Sequence, residues 1–269
     1  MSCAAIEKYN IRVRKANSLV CVGLDADMAK IPERFLKKEF PQFFFNQWII
    51  DQTHEYAAAY KLNSAFYEAR GDEGMRELKM TLEYLQKNHS DIFTILDAKR
   101  ADIGNTNHGY VESIFYWLGV DAVTVHPYLG REALLPFLDR KDKCTIVLAK
   151  TSNSGSPEFQ DVIIGDTKEM LWQHIARQVT GVWNQHNNLM IVMGATYPHD
   201  VAWARQVCGN MTFLVPGVGA QGGDLQSVVA SGKNSQGLGL IINSSRGIIF
   251  SENPGEGARQ LRDQINEYR

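Results

Sequence analysis

The residues best suited to chemistry in this chain sit just past short apolar runs. Asp25 follows the run 19–24, Lys61 and Asn63 end the run that begins at 58, and Asp97-Ala98-Lys99-Arg100-Ala101-Asp102 follows the run 92–96. Asp97 and Lys99 stand two apart, and on a strand that spacing turns both side chains to one side, inward if Ala98 packs outward. Opposite charges turned inward are costly to bury unless fully engaged. The pair is therefore either part of a working site or a solvated strand end with a surface ion pair. Lys61, at the end of the neighbouring run, favours the site. Two lysines and two aspartates can alternate in a network of zero net charge, which keeps both lysines protonated in a dry environment. Asp102 lies where the chain should be leaving the strand, so it need not face the same way as Asp97 and Lys99. His126, which precedes Pro127, is left out of the chemistry, and Arg100 is read as structural, outward or along the rim.

A second group of residues suits an anion. Pro216-Gly217-Val218-Gly219-Ala220-Gln221-Gly222-Gly223 follows the run 212–215, and Asn243-Ser244-Ser245-Arg246-Gly247 follows the run 238–242. Glycines let backbone N–H groups approach a phosphate, and arginine adds a charged bidentate donor. The pattern predicts a phosphorylated small substrate.

Eight apolar runs must position these residues: 19–24, 58–62, 92–96, 122–125, 145–149, 189–193, 212–215 and 238–242. Continuous rather than alternating apolarity predicts strands buried on both faces, as in a parallel sheet. Helical spacing lies between them, at Met75, Leu78, Leu82 and Leu85, at Val111, Ile114, Phe115 and Leu118, and at Trp172, Ile175, Val179 and Val182, with a last helical segment over 259–268. Strand and helix alternating eight times is the pattern of an α/β protein of the (β/α)8 TIM-barrel class, whose sites form at the C-terminal ends of strands and whose phosphate grips follow strands seven and eight. A doubly wound open sheet is the runner-up, but Gly23-Leu24-Asp25-Ala26-Asp27 is not the glycine-rich turn expected after its first strand. No linker or internal repeat divides the chain, so one domain over residues 1–269 is expected, with 152–165 and 217–223 as long loops.

Composition sets the outer limits. With 44% hydrophobic and 22% charged residues the chain can bury a core, which excludes global disorder. Lys and Arg number 28 against 30 Asp and Glu, a formal charge of −2 that gives no footprint for nucleic acid. No apolar run approaches the roughly 18 residues of a membrane span, and Glu7, Lys8, Arg12, Arg14 and Lys15 stand where a signal peptide would be apolar. A cytoplasmic protein without membrane contact is expected. Cys3, Cys21, Cys144 and Cys208 show no paired spacing and read as buried free thiols.

Taken together, Asp25, Lys61, the Asp97-x-Lys99-x-x-Asp102 motif, the loop 216–221 and Arg246 make the chain resemble the orotidine 5′-monophosphate decarboxylase family over nearly its whole length. The most specific segment runs from Leu96 through Asp97, Lys99 and Asp102 to Thr106. Gly23-Leu24-Asp25 and the loop 217–223 resemble the longer bacterial branch. The resemblance implies decarboxylation of orotidine monophosphate to uridine monophosphate, the last step of its synthesis, without metal or organic cofactor. That absence fits a sequence with no clustered His or Cys ligand set. By the same resemblance, Lys99 protonates carbon 6, Asp97 lies against the departing carboxylate, and Asp25 and Lys61 face the ribose hydroxyls, with Asn63 also binding substrate. Ser152, within the hydroxyl-rich stretch 151–154, would meet the pyrimidine edge, and Gln221 and Arg246 the phosphate. Asp102 and Thr106 would complete the partner subunit's site, which makes a homodimer part of the expectation. Two alternatives stand beside it. One is a metal-dependent phosphosugar lyase or synthase with the same D-x-K-x-x-D core, for which an acidic metal ligand is expected at position 61. The other is a barrel that binds a nucleotide without turning it over.

Overall fold

The computed structural model describes residues 2–218 and 224–269, and in it the eight apolar runs become eight parallel strands of one closed barrel. They are β1 (Val20–Gly23), β2 (Ala59–Asn63), β3 (Phe93–Arg100), β4 (Ala122–Val125), β5 (Cys144–Lys150), β6 (Leu189–Met193), β7 (Phe213–Val215) and β8 (Leu240–Ser244). Each pairs with its neighbours in sequence, and β8 closes on β1 with Val20 opposite Ile242. Burial on both faces accounts for the unbroken apolarity, since strands fill the inside and helices cover the outside. Residues 219–223, and with them Gln221, lie outside the described residues.

The N-terminal end of the barrel is closed by α1 (Ala4–Ala16), a helix the apolar spacing did not announce. The Tyr9 hydroxyl donates to the Leu240 carbonyl at 2.5 Å, its ring lies 5.4 Å from that of Phe93, and Arg12 Nε donates to the Ala57 carbonyl at 3.0 Å. These contacts tie α1 to the entry ends of β8, β3 and β2, so the opposite end is left for the site.

The outer layer follows the predicted spacing with one exception. After α2 (Pro41–Thr53), α3 (Gly71–Asn88) buries Leu78, Leu82 and Leu85, with Met75 half-buried at its edge. Then α4 (Gly104–Val111) runs into a π-helical turn, Glu112–Leu118, and buries Val111, Ile114, Phe115 and Leu118. Next come α5 (Gly130–Leu138) and α6 (Leu171–Gln178), the latter continued by the π-helical Val179–Trp183. Trp172 and Val179 are buried, but Val182, within the π-helical turn, is 61% exposed. The set is completed by α7 (Pro198–Cys208), α8 (Leu225–Gly232) and α9 (Pro254–Tyr268). The loop that starts at 152 carries a short helix, Pro157–Gln160, and a two-stranded ribbon of Ile163–Ile164 with Glu169–Met170. All four cysteines are free and buried, as expected. Among the described residues no helix is long and apolar enough to cross a membrane.

Candidate active site

The site is assembled at the C-terminal ends of β1, β2, β3 and β8. A Cβ on Gly23 would come 1.9 Å from Ser245 Oγ, so glycine at the end of β1 is what lets the segment after β8 fold across it. Ser245 Oγ then donates to Asp25 Oδ2 at 2.8 Å, while Asp25 Oδ1 accepts the Asn63 N–H at 2.9 Å. Lys61, near the end of β2, reaches Asp25 Oδ2 at 3.2 Å and Asp97 Oδ2 at 3.0 Å. Lys99 Nζ meets the other Asp97 oxygen at 2.7 Å. The four groups alternate in sign as Asp25, Lys61, Asp97, Lys99 and sum to zero charge.

Their environments differ in a way that divides their roles. The Lys61 side chain is 5% exposed, those of Asp25 and Asp97 are 12% and 13% exposed, and that of Lys99 is 49% exposed. Burial pushes the Lys61 ammonium toward deprotonation, yet Asp25 and Asp97 outweigh it and raise its pKa above that of a free lysine. Burial pushes the Asp97 carboxyl up, but Lys61 and then Lys99, with their hydrogen bonds, hold it well below the usual carboxylate range. Cys21 lies below this network, and burial keeps its thiol neutral against the pull of Lys61.

Lys99 does not reach Asp97 by simple strand alternation. It adopts a left-handed backbone conformation with φ of +48°, uncommon for a residue other than glycine. The pairing of β3 with β4 slips here: Leu96 is opposite Val123, whereas Arg100 is opposite Val125, so four steps on β3 match two on β4. This bulge turns Lys99 back over Asp97. Thr124, from β4, secures it by accepting the Lys99 N–H at 3.0 Å and donating to Asp97 Oδ1 at 2.9 Å. Thr124 was not singled out in the sequence, and Ser245 was read only as part of the anion-binding stretch 243–247, not as a partner of Asp25. Thr124 left a signal all the same, as the polar residue inside the apolar run 122–125.

A cavity of about 720 Å³ opens beside the network, lined by Asp25, Lys61, Asn63 and Asp97 and also by Pro216, Gly217 and Arg246, whereas Lys99 and Ser152 do not line it. Asp27 and Lys30 add two charged groups that were not anticipated. Arg246 is exposed at the start of a short helix, Arg246–Ile249. Arg100 sits on the rim as expected, paired with Glu68 and stacked over Tyr110. Among the described residues, none of Asp102, Thr106 and Ser152 hydrogen-bonds to the charged network within the chain. The Asp102 carboxylate accepts the Ile103 N–H at 2.7 Å, Thr106 is exposed, and Ser152 is half-buried against the end of β6. The place between Asp25 and Asp97 where a cation would sit is filled by the Lys61 ammonium. Among the described residues no three His, Cys, Asp or Glu side chains gather as a metal site.

The model of the orotidine 5′-phosphate decarboxylase / HUMPS family matches residues 18–261. The chain belongs to that family. It is 45% identical over 261 residues to the orotidine 5′-phosphate decarboxylase of Christiangramia forsetii, covering 94% of each chain. With the enzyme of the same name from Phocaeicola vulgatus it shares 46% identity over 263 residues, 95% of each. Among solved structures, Leishmania donovani OMP decarboxylase superposes with a TM-score of 0.89 at 36% identity, covering 98% of both chains. Leishmania donovani UMP synthase gives a TM-score of 0.90 at 37% identity, covering 99% of this chain and 57% of that one. The fold expected from the strand count is thus the fold of the family, and the named relatives are enzymes.

Proposed function

We propose that this chain decarboxylates orotidine 5′-phosphate to uridine 5′-phosphate and carbon dioxide, the last step in the synthesis of that nucleotide. The observation that carries the proposal is the unequal pair of lysines on one carboxylate. Lys61 is clamped between Asp25 and Asp97 and holds its proton tightly, while Lys99 has a single anionic neighbour and an ammonium turned toward solvent. Lys99 is the proton donor. The bond from carbon 6 to the carboxylate breaks, its electron pair stays on carbon 6, and Lys99 gives that carbon a proton and takes one back from solvent. Asp97, ionised at neutral pH, lies against the substrate carboxylate and disfavours it more than the departing neutral product. The two ammonium groups favour the developing carbanion.

The remaining roles are those that the family resemblance implies. Asp25, Lys61 and Asn63 face the ribose, Arg246 and Gln221 the phosphate, and Ser152 the pyrimidine edge. No metal or organic cofactor enters. A homodimer completes each site with Asp102 and Thr106 of the other chain. This is supported by the exposed apolar side chain of Ile103, which follows Asp102 directly and is 60% exposed. A cytoplasmic setting suits an enzyme of nucleotide synthesis. Lys61 argues against the metal-dependent lyase, and a carboxylate held ionised beside an anionic ligand argues against mere binding.

The test is loss of orotidine 5′-phosphate absorbance on adding purified protein in EDTA, with Lys99→Ala as control. Turnover by the wild type and none by the variant is expected. No turnover in EDTA, restored by magnesium, would favour the metal-dependent lyase instead.

A further inference from the structure

We propose that Lys150 is a positioning residue, whose buried ion pair with Asp161 pins the loop carrying Thr151 and Ser152 over the pyrimidine end of the site. Lys150 is the last residue of β5 and its side chain is 1% exposed. Its ammonium is paired with the Asp161 carboxylate and lies 4.6 Å from the centroid of the Tyr197 ring. A buried ammonium requires such partners. Both come from segments that return to the top of the barrel, Asp161 from the loop after β5 and Tyr197 from the turn into α7. Asp200, half-buried in the first turn of α7, adds a second negative charge within electrostatic reach.

The pair closes a ring. Asp161 follows Gln160, whose carboxamide turns back onto Thr151: Oε1 accepts the Thr151 N–H at 2.9 Å and Nε2 donates to Thr151 Oγ1 at 2.8 Å. Ser152 is fixed from the other side. A Cβ on Gly194, just past β6, would come 2.8 Å from Ser152 N and 2.9 Å from Ser152 Cα, so the loop backbone lies directly on that glycine. The loop is thereby held at Lys150, at Thr151 and at Gly194. Lys150, Gln160 and Asp161 do not line the cavity, and Thr151 and Ser152 stand outside its lining as well. Their effect on a ligand passes through Ser152, and the inference rests on the reading that Ser152 meets the pyrimidine.

The experiment compares two ligands by calorimetry: uridine 5′-phosphate, which carries the base, and ribose 5-phosphate, which lacks it. With Lys150→Met or Asp161→Asn, Kd for the nucleotide is expected to rise roughly 3- to 10-fold, the equivalent of about one neutral hydrogen bond, while Kd for ribose 5-phosphate stays within about twofold. Lys150→Arg, which can still pair with Asp161 and stack on Tyr197, should restore nucleotide binding. Asp161 is 30% exposed, so Asp161→Asn can be solvated and carries the test if Lys150→Met fails to fold. Equal losses on both ligands, or unchanged nucleotide binding, would overturn the positioning role. A wild type that neither binds uridine 5′-phosphate nor turns over orotidine 5′-phosphate would overturn the functional proposal as well.

Discussion

Replacing Lys61 by methionine keeps the length of the unbranched stem and removes the ammonium whose charge balances the site. Its ammonium lies 3.2 Å from Asp25 and 3.0 Å from Asp97, with the side chain 5% exposed. At an effective dielectric constant of about 20 each contact is worth roughly 5 kcal/mol of gross attraction, against several kcal/mol for desolvating the ammonium. Lys61→Met leaves two carboxylates facing one another, so a loss of about 3 to 5 kcal/mol in urea unfolding at pH 8 is expected. The sign of the pH dependence follows from Asp97. Burial raises its pKa, but Lys61 and Lys99 outweigh burial and hold it below the unfolded value of about 4. Its stabilising contribution is complete above pH 4 and is lost only as the pH falls below that. Without Lys61, repulsion and burial should lift one carboxyl of the pair above its unfolded value. That penalty is present in full at pH 8 and is relieved as the carboxyl takes up a proton toward pH 5. The gap between wild type and variant should therefore shrink from pH 8 to pH 5, read by circular dichroism in urea. A gap under about 1 kcal/mol at pH 8, or one unchanged at pH 5, would refute the reasoning.

Further outcomes concern the reacting end, the phosphate and the partner. Lys99→Ala should abolish turnover and leave the melting temperature near that of the wild type, because its side chain is half exposed; activity above about a tenth of wild type would remove Lys99 as the donor. Arg246→Ala should lower kcat/KM on the nucleotide by roughly 30- to 1,000-fold, since remote binding energy holds the reacting end in place, yet change little on the nucleoside without phosphate. Equal losses on both substrates would place Arg246 elsewhere. Lys99→Ala and Asp102→Ala proteins, unfolded and refolded together, should recover about one quarter of native sites, because twofold symmetry gives half the dimers as heterodimers with one intact site each. No recovery, with heterodimers confirmed by mass, would show that Asp102 serves its own chain.

The barrel was legible because strands covered on both faces cannot alternate, so each left an unbroken apolar run. Ends were less legible, since β3 keeps pairing through Arg100, four residues past the end of the run 92–96. The helix α1 was hidden because it buries only a narrow stripe that includes Ile6, Tyr9 and Val13, with Arg12 among them, in a segment otherwise rich in charge. The charged partners Asp25, Asp97 and Lys99 could be read because they follow apolar runs, and Lys61 because it stands near the end of one, 58–62. The backbone that brings Lys99 onto Asp97 could not, because a two-residue spacing predicts the same neighbour with or without a bulge. Ser152 and Gln160 belong to a loop whose shape depends on the pairing of Lys150 with Asp161, eleven residues apart, and no local periodicity records that contact.

The bulge at Lys99 resolves a conflict built into the site. A lysine continuing a regular strand beside Lys61 would be drawn into the same buried clamp, and a proton held between two carboxylates is poorly available for transfer. A left-handed residue at this position costs on the order of 1 kcal/mol. The two Thr124 hydrogen bonds, to the Lys99 N–H and to Asp97, offset that cost and fix the turn. Lys99 therefore keeps one carboxylate and gains exposure, while Lys61 keeps two and loses it. The same departure from the strand carries Asp102 away from its own barrel axis, where Asn107 holds its backbone N–H at 2.9 Å and the carboxylate accepts the Ile103 N–H. One local distortion thus separates the exposed ammonium from the buried one and carries the third charge of the motif away from both, which is why the mixed-dimer experiment and the Lys99 substitution examine the same piece of backbone.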